Sequence, residues 1–366
     1  MKVVVAMSGG VDSSVAAALL KNEGHDVVGV TMQIWPDSAK SSSGGCCSLS
    51  AVEDARRVAS LIGIPHYVMN LKDEFERLVI REFIQEYGIG HTPNPCVRCN
   101  QFVKFDVLLH KAIALGADRI ATGHYARVDY DETAARWLLR RAADRAKDQS
   151  YALYTMTQEQ LSRTLFPLGE LSKPQTRALA AQLGMLVANK PDSQEICFIP
   201  DNKYAGFLAQ AAPELVSPGP MIDTKGNELG THNGIAFYTI GQRKRLGIAV
   251  GKPMYVVGID RVRNAVVVGS NEELFKDTVI AKNVNYIGNE SLAGSVVVSA
   301  KIRYNMQDSP AHACSLSDSA VELRFEKPQR AVTPGQAMVM YQDEIVVGGG
   351  VIADEEEAAA ILAGSE

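Results

Sequence analysis

The first fourteen residues, MKVVVAMSGGVDSS, constrain the fold more than any other stretch. Val3, Val4 and Val5 make a short apolar run of the kind that becomes a buried central strand. The chain turns at Ser8-Gly9-Gly10, and Asp12 to Leu20 then read as a helix rich in Ala, Val and Leu that stops near Gly24. A strand, a glycine turn and a helix together make an anion site. Glycines let the backbone approach a ligand closely, and the unsatisfied N–H groups at the helix start point at it. Ser8, Ser13 and Ser14 add hydroxyl donors. A lone SGG reads as a tight turn between buried elements; the complete strand-SGGxDSS-helix pattern favours phosphate.

The loop is not a Walker A motif, because no Lys follows the glycines and an Asp stands inside it. SGGVDSS resembles the signature of the PP-loop ATP pyrophosphatases. That resemblance implies cleavage of ATP between the α- and β-phosphates and activation of a carbonyl oxygen as an adenylate. An acidic residue in a phosphate loop is repulsive unless a cation lies between them, so Asp12 calls for Mg²⁺.

A chain of 366 residues can hold two or three domains, each with its own core. Met1-Lys2 leads straight into a core strand, so no signal peptide is expected, and no apolar run approaches the roughly 20 residues of a membrane span. Six cysteines in such a chain favour a reduced, cytoplasmic setting over a disulfide scaffold. A net charge of −5 argues mildly against bulk nucleic-acid binding, although a local basic surface can still capture RNA.

Residues 26 to 32, DVVGVTM, close a βαβ unit with the first strand and helix. After the serine-rich loop Pro36 to Ser48, which is expected to move, Ser50-x-x-Glu53 has the form of a capping box for a helix ending at Gly63. A strand from His66 to Leu71, a long helix from Asp73 to Tyr87, the loop GIGHTPNPCVRCN, a helix from Phe105 to Leu115 and a strand from Arg119 to Thr122 follow. This alternation predicts a doubly wound parallel sheet with ligands at the carboxyl ends of its strands. The SGG loop, Met32 and Gly123 fall at such ends. Two short strands, ARVDY and RWLLRR, precede helices over Gln158 to Leu165 and from Ser172, with Pro174 in the first turn of the second. The expected divisions are an α/β catalytic domain over 1–201, a small mostly-β domain over 202–275, a β-barrel over 276–352 and an acidic tail, 353–366, read as a solvated, frayed helix.

Cys96-Val97-Arg98-Cys99 lies in the proline-bracketed stretch TPNPCVRCN. A CxxC pair suits half a zinc site, a redox pair or part of an iron–sulfur site, but no second CxxC or close His pair completes four zinc ligands. Cys197 follows another polar loop in DSQEICFIP. Cys46 and Cys47 lie in the serine loop, and Cys314 reads as a small core residue. Replacing a carbonyl oxygen by sulfur gives a reason for two cysteines beside an ATP site. Adenylation makes the oxygen a leaving group, and a cysteine persulfide carries sulfur as a nucleophile. A second cysteine can attack the inner sulfur, forming a disulfide and freeing the outer one.

SGGVDSS, TPNPCVRCN, KFD, ATGHYAR, KDQSY, DSQEICFI, TIGQRKRLGI, Arg303-Tyr304 and TPGQAMV occur in the order found in the bacterial tRNA-specific 2-thiouridylases, which this chain resembles from Met1 to about Ile352. The resemblance implies an adenine nucleotide alpha hydrolase-like PP-loop domain, a central domain and a C-terminal β-barrel. It implies thiolation at C2 of uridine 34 in tRNAs for Lys, Glu and Gln, with Cys99 as the nucleophile and Cys197 receiving the persulfide sulfur. ATP would be bound by Ala6, Met7, Ser8, Gly9, Gly10, Val11, Asp12, Ser13, Met32 and Gly123. tRNA would be contacted by Asn94, Pro95, Cys96, His124, Lys147, Asp148, Gln149, Arg303, Tyr304 and Gln336. Well-known members carry Asp where this chain has Cys96. Three thiols, Cys96, Cys99 and Cys197, could therefore hold a [4Fe–4S] cluster with one open iron, in place of the persulfide route.

Arg136, Arg140, Arg141, Arg145 and Lys147 form one basic group and Arg243, Lys244 and Arg245 another. Such runs are usually solvated surface; with a tRNA substrate they would position phosphates. Uridine 34 would have to leave its stack, and His124 and Tyr304 could hold the loop. The rivals are an amide ligase, a tRNA cytidine thiolase, and an ATP-sensing RNA-binding protein whose cysteines hold zinc. The leading reading is a cytoplasmic, monomeric tRNA uridine 2-sulfurtransferase supplied by a cysteine desulfurase or a sulfur-relay protein.

Overall fold

The computed structural model describes residues 1–34, 49–192, 196–199, 203–248 and 250–364. The serine-rich stretch with Cys46 and Cys47 falls outside them, as do Ser193, Gln194 and Glu195 of DSQEICFI. The chain divides into two units. One comprises Met1–Ile80, Pro95–Asn202 and Glu344–Val346; the other comprises Arg81–Asn94, Lys203–Asp343 and Val347–Glu366.

The first unit opens with β1 (Lys2–Ala6), α1 (Val11–Asn22), β2 (Asp26–Gln33), α2 (Leu49–Ile62) and β3 (His66–Asn70). It continues through β4 (Arg119–Ala121), the hairpin β5 (Ala126–Asp131) and β6 (Arg136–Arg141), and β7 (Thr164–Leu165). The sheet runs β3-β2-β1-β4-β7 and every pairing in it is parallel. This is the expected doubly wound α/β arrangement. The valine run of β1 is buried because parallel strands are covered on both faces. α1 carries no apolar stripe; its small residues Ala16, Ala17 and Ala18 are all buried against the sheet core beside Val3, Val5 and Val27. Small side chains let the helix lie close to the strands, which sets the depth of the loop between β1 and α1.

In the second unit, β8 (Gly219–Asp223), β9 (Glu228–His232), β10 (Tyr255–Asp260) and β11 (Ala265–Gly269) form a sheet of order β10-β11-β8-β9. The turns TKGN and VRNA fall between strands as expected, with Gly226 and Asn264 in the left-handed region at φ 87° and 48°. Then β12 (Phe275–Tyr286), β13 (Ser295–Lys301), β14 (Ser309–Ser317), β15 (Ala320–Arg330), β16 (Ala337–Gln342) and β17 (Ile345–Ile352) run in the order β12-β15-β14-β13-β16-β17. Pairing of β12 with β17, for example Ala281 with Ile352, closes them into a barrel. Inward residues alternate along five of these six strands: Val279 and Ala281, Val298 and Ala300, Ala311 and Ala313, Val321 and Leu323, Met338 and Met340.

Four local expectations change. Pro95 starts a helix, Pro95–Arg98, and Cys99–Leu108 continues it in π geometry, so the CxxC pair is helical rather than in a loop. Proline at a first helical position gives up no hydrogen bond, so it opens the helix instead of breaking it. Ser50 lies inside α2, which already begins at Leu49, and is not its cap. The helix expected over Gln158 to Leu165 stops at Ser162, capped by a Thr157–Gln160 box, and β-branched Thr164 starts the edge strand β7. The helix expected from Asp73 to Tyr87 runs as Lys72–Phe75, a π segment Glu76–Ile80 and Arg81–Gly88.

The acidic tail is a helix, Glu355–Ala363, but it is tied down at its start. Asp354 caps it with Glu357 in a capping box, and Lys276 pairs with Glu355 at 2.9 Å. Arg261 and Lys282 reach Glu356 and Glu357. Asp354 also accepts from His91 Nε2 at 3.1 Å, while His91 Nδ1 meets Glu86 at 2.8 Å. Burial depresses the His91 pKa, but the bonds to Glu86 and Asp354 outweigh it and the net shift is upward. A raised histidine stabilises fully below its unfolded value of about 6.5 and loses that contribution as pH rises through the folded value. His91→Ala should therefore cost about 1–3 kcal/mol at pH 6 and less at pH 9, measured by urea unfolding at both; an equal cost at the two would exclude the clasp.

Candidate active site

The glycines of the first loop are required by close approach. Gly9 has φ 68°, and a Cβ there would lie 2.1 Å from the Ala51 carbonyl oxygen. A Cβ on Gly123, just past β4, would lie 2.6 Å from the Ser13 nitrogen and 2.7 Å from the Asp12 carbonyl carbon. Within the loop, Ser13 Oγ accepts from the Ser8 amide at 3.1 Å and Ser14 Oγ donates to Gly10 O at 2.8 Å. Gly10 caps α1 without a side-chain bond to its first amides. The result is a rigid backbone cup at the carboxyl end of β1, headed by a helix start, the geometry that receives an anion. Ala6, Met7 and Met32 belong to the same strand ends; Met7 is buried, and its carbonyl accepts from Thr31.

Asp12 faces a cation supplied by the chain. Lys173 Nζ donates to both Asp12 oxygens at 2.8 Å, and Tyr125 donates its hydroxyl to Oδ1 at 2.8 Å. Burial holds the Tyr125 phenol far above its usual range, so it acts as a neutral donor. Lys173 also lies 2.8 Å from Asp192, which Lys147 and Arg177 approach at 2.7 and 2.8 Å. Burial pushes the Asp192 carboxyl up, but the bonds from Lys147 and Lys173 bring it down to about 2. Lys190 donates to Gly9 O at 2.9 Å and to Asp54 at 2.8 Å. Lys173, Tyr125, Asp192 and Lys190 were not singled out from sequence. GHY and DSQEIC contain two of them, but nothing in their spacing showed that they converge on Asp12.

Cys99 and Cys197 are half-buried and Cys96 is exposed, all as thiols. Cys96 and Cys99 stand one helical turn apart. Asn100, the residue after Cys99, is buried and donates to Ala152 O at 2.9 Å, fixing the start of the π segment. Cys197 sits in a turn anchored by Phe198, whose ring meets Phe75 edge-on at 5.7 Å. The segment Lys72–Phe75 in turn packs on Cys99–Leu108, so both cysteine-bearing stretches share one support. Among the described residues, the three sulfurs do not draw together as tightly as a single zinc ion requires; the group that compact is His91, Asp354 and Glu357.

Three family descriptions match the chain: tRNA methyl transferase HUP domain over residues 1–201, tRNA methyl transferase PRC-barrel domain over 205–270, and aminomethyltransferase beta-barrel domain over 276–352. The tRNA-specific 2-thiouridylase MnmA of Heliobacterium modesticaldum is 57% identical over 94% of this chain and 91% of its own length. Those of Lachnoclostridium phytofermentans and Clostridioides difficile are 55% and 53% identical over 95% of the chain, covering 98% and 96% of theirs. The chain belongs to the tRNA-specific 2-thiouridylase family.

For this member of the thiouridylase family, several residues expected to meet tRNA serve internal bonds. Asp148 is buried and accepts from the Ala142 and Ser150 amides and from Ser150 Oγ, at 3.0, 3.2 and 2.9 Å. Gln149 exchanges bonds with the Tyr125 backbone, and Lys147 is held by Asp192. Arg303 donates to Ala331 O and Thr333, and Gln336 to Thr92 O at 2.7 Å. Tyr304 is 39% exposed. In the first basic group, Arg140 pairs with Asp129 and Arg145 with Glu344, while Arg243, Lys244 and Arg245 are exposed. Asn94 and Pro95 fall in different units.

His124 bonds Thr122 Oγ1 at 2.7 Å and lies among Phe105 and Phe166. Burial, helped by the Lys104 ammonium, holds its pKa well below the usual value, so it is a neutral ring at pH 7 rather than a phosphate-binding cation. Its stability contribution is present above the unfolded value of about 6.5 and is lost as pH falls. Gly123→Ala should lower stability by about 2 kcal/mol or more because backbone has to move. Gly206→Ala, where a Cβ meets nothing within 4 Å, should be neutral or stabilising by up to about 1 kcal/mol. Urea midpoints of the two variants test the cup; equal midpoints would remove Gly123 as a close-approach position.

Proposed function

We propose that this chain is a tRNA uridine 2-sulfurtransferase that binds ATP at the SGG loop and thiolates C2 of the wobble uridine, position 34, in tRNAs for Lys, Glu and Gln. The observation that carries the reading is one unit holding both a glycine-built anion cup headed by Asp12 and two half-buried cysteines, Cys99 and Cys197, on a common support. An amide ligase would have no use for that cysteine pair, and the 2-thiouridylase relatives match nearly the whole chain.

In the proposed reaction the uridine O2 attacks the α-phosphorus of ATP and pyrophosphate leaves. The terminal sulfur of a persulfide on Cys197 then attacks C2, and the Cys99 thiolate attacks the inner sulfur. AMP departs with the former O2, C2 keeps the sulfur, and a Cys99–Cys197 disulfide remains, to be reduced by two electrons from a thiol reductant. The cup residues Ala6 to Ser13, with Met32 and Gly123, take ATP. Asn94, Pro95, Cys96, His124, Lys147, Arg303, Tyr304 and Gln336 serve the anticodon loop, with an aromatic such as Tyr304 to hold its bases. Asp148 and Gln149 act through the backbone they hold.

Mg²⁺ would arrive with the ATP phosphates. Asp12 does not suit it as the structure stands, since both carboxylate oxygens are engaged by Lys173, and no step is derived through it. An exposed Cys96 likewise fits a neighbour of the target base better than a ligand of an oxygen-labile [4Fe–4S] cluster. The sulfur donor is a cysteine desulfurase or relay protein, the enzyme acts as a monomer, and its site is the cytoplasm, where tRNA is found. No described helix is long and apolar enough to cross a membrane. Its working parts are 1–201 for catalysis, 202–275, the barrel 276–352 for tRNA, and the tail 353–366.

Cys99→Ala and Cys197→Ala should each abolish 2-thiouridine formation while leaving ATP binding within about twofold of the parent. Substantial thiolation by either variant would remove that cysteine from the mechanism. Asp12→Ala should slow tRNA-dependent pyrophosphate release at least about tenfold, and unchanged release would exclude it.

A further inference from the structure

We propose, resting on the reading of Cys99 as the nucleophile, that Lys104 is a positioning residue: its ammonium stands beside Cys99 and favours the thiolate that attacks the persulfide's inner sulfur. Lys104 opens the stretch KFD, to which the proposed reaction gives no part.

The backbone geometry makes the pairing. Cys99 opens the segment Cys99–Leu108, whose hydrogen bonds run from i to i+5. In an α-helix a residue five positions on stands about 140° round the cylinder from the first. The wider π turn brings Lys104 back towards the side of Cys99. The side chain then runs back along the helix, in the direction helical side chains lean. Its Nζ donates to Asn100 Oδ1 at 2.9 Å, and Asn100 directly follows Cys99. Asn100 is buried and its own amide is tied to Ala152 O at 2.9 Å. A neutral acceptor fixes an ammonium without opposing its charge. Lys104 is half-buried, and its charge reaches His124, where it adds to burial in keeping the ring neutral. Phe105, its neighbour, lies 5.9 Å from the same ring. The cation is therefore within reach of both the cysteine turn and the edge of the nucleotide cup.

The other titratable groups on the elements packed against this segment are placed differently. Glu74 pairs with Lys111 at 3.0 Å and Asp106 with His110 at 2.7 Å. The Arg98 guanidinium lies 4.3 Å over the Phe102 ring. Cys96, Asp73, Glu76 and Arg77 are exposed, Tyr151 is buried, and Lys72 is half-buried at the head of its own segment. An ordinary thiol, with a pKa of about 8.5, is a few per cent thiolate at pH 7. A fixed ammonium beside a half-buried sulfur shifts that balance, the proton going to solvent, because water screens the pair less than it would at the surface.

The test is the pH dependence of Cys99 alkylation by iodoacetamide between about pH 5 and 10, in the full-length protein without tRNA or ATP. Trypsin cuts at Arg98 and so separates Cys99 from Cys96, and Cys314 is the internal reference. The parent midpoint should lie below about 8.5. Lys104→Gln should raise it by about one pH unit and slow alkylation at pH 7 about five- to tenfold, with the rate recovering at high pH. Lys104→Arg should restore the parent profile, and Lys72→Gln should leave it unchanged. Equal midpoints in the parent and Lys104→Gln would overturn the proposal. A rate lowered at every pH with the midpoint unmoved would reduce Lys104 to a structural role and overturn it too, as would an equal shift in Lys72→Gln. Should Lys104→Gln fail to fold, Lys104→Met replaces it, with the same shift expected and an unmoved midpoint decisive against the proposal. The nucleophile reading is tested apart from this, by thiolation in Cys99→Ala, so either can fail alone.

Discussion

A carboxylate at the head of a helix, inside a loop shaped to receive anions, has to be neutralised, and the first unit is arranged around that requirement. Asp12 meets Lys173, and Lys173 meets Asp192. The residues that supply this pairing come from far along the chain, so the loop, the helix Lys173–Gln182 and the stretch before Cys197 are brought together by one ammonium. Asp144 holds the start of that helix through the Lys173 amide at 3.0 Å, which aims the side chain. Packing sets the distances: the small residues of α1 and the bare Cα of Gly123 let the backbone close in around Asp12.

The same logic governs the second unit with different groups. Its barrel closes through β12 and β17 on an alternating apolar interior, and the acidic tail helix buries none of its residues fully. Charge fastens it instead. His91, buried between Glu86 and Asp354, is worth more than an exposed pair would be because water cannot replace either partner.

Charge also separates binding from building. An acidic chain that handles RNA has few cations to spare, and several expected to face phosphate are already spent on carboxylates within their own unit. Among the described residues of the two basic groups, Arg243, Lys244 and Arg245 are exposed. A neutral His124 beside the cup contributes shape and a hydrogen bond rather than charge.

The sequence alone determined the elements whose cause is local. The valine run, the glycine turn and the alanine-rich helix specify a βα anion loop. Two-residue alternation specifies barrel strands, and Asn and Gly at turns specify their connections, because each depends on neighbours within a few residues. Local cues misled where a residue has two uses: Pro95 punctuates a loop or opens a helix, and only its surroundings choose. The cysteines were legible as chemistry but not as a place, since the shared support of Cys99 and Cys197 is made by Phe75 and Phe198. Tertiary structure alone decided which cation answers Asp12. Lys173 is 161 residues away, and an ion pair formed at that separation leaves no periodicity, spacing or composition by which to read it.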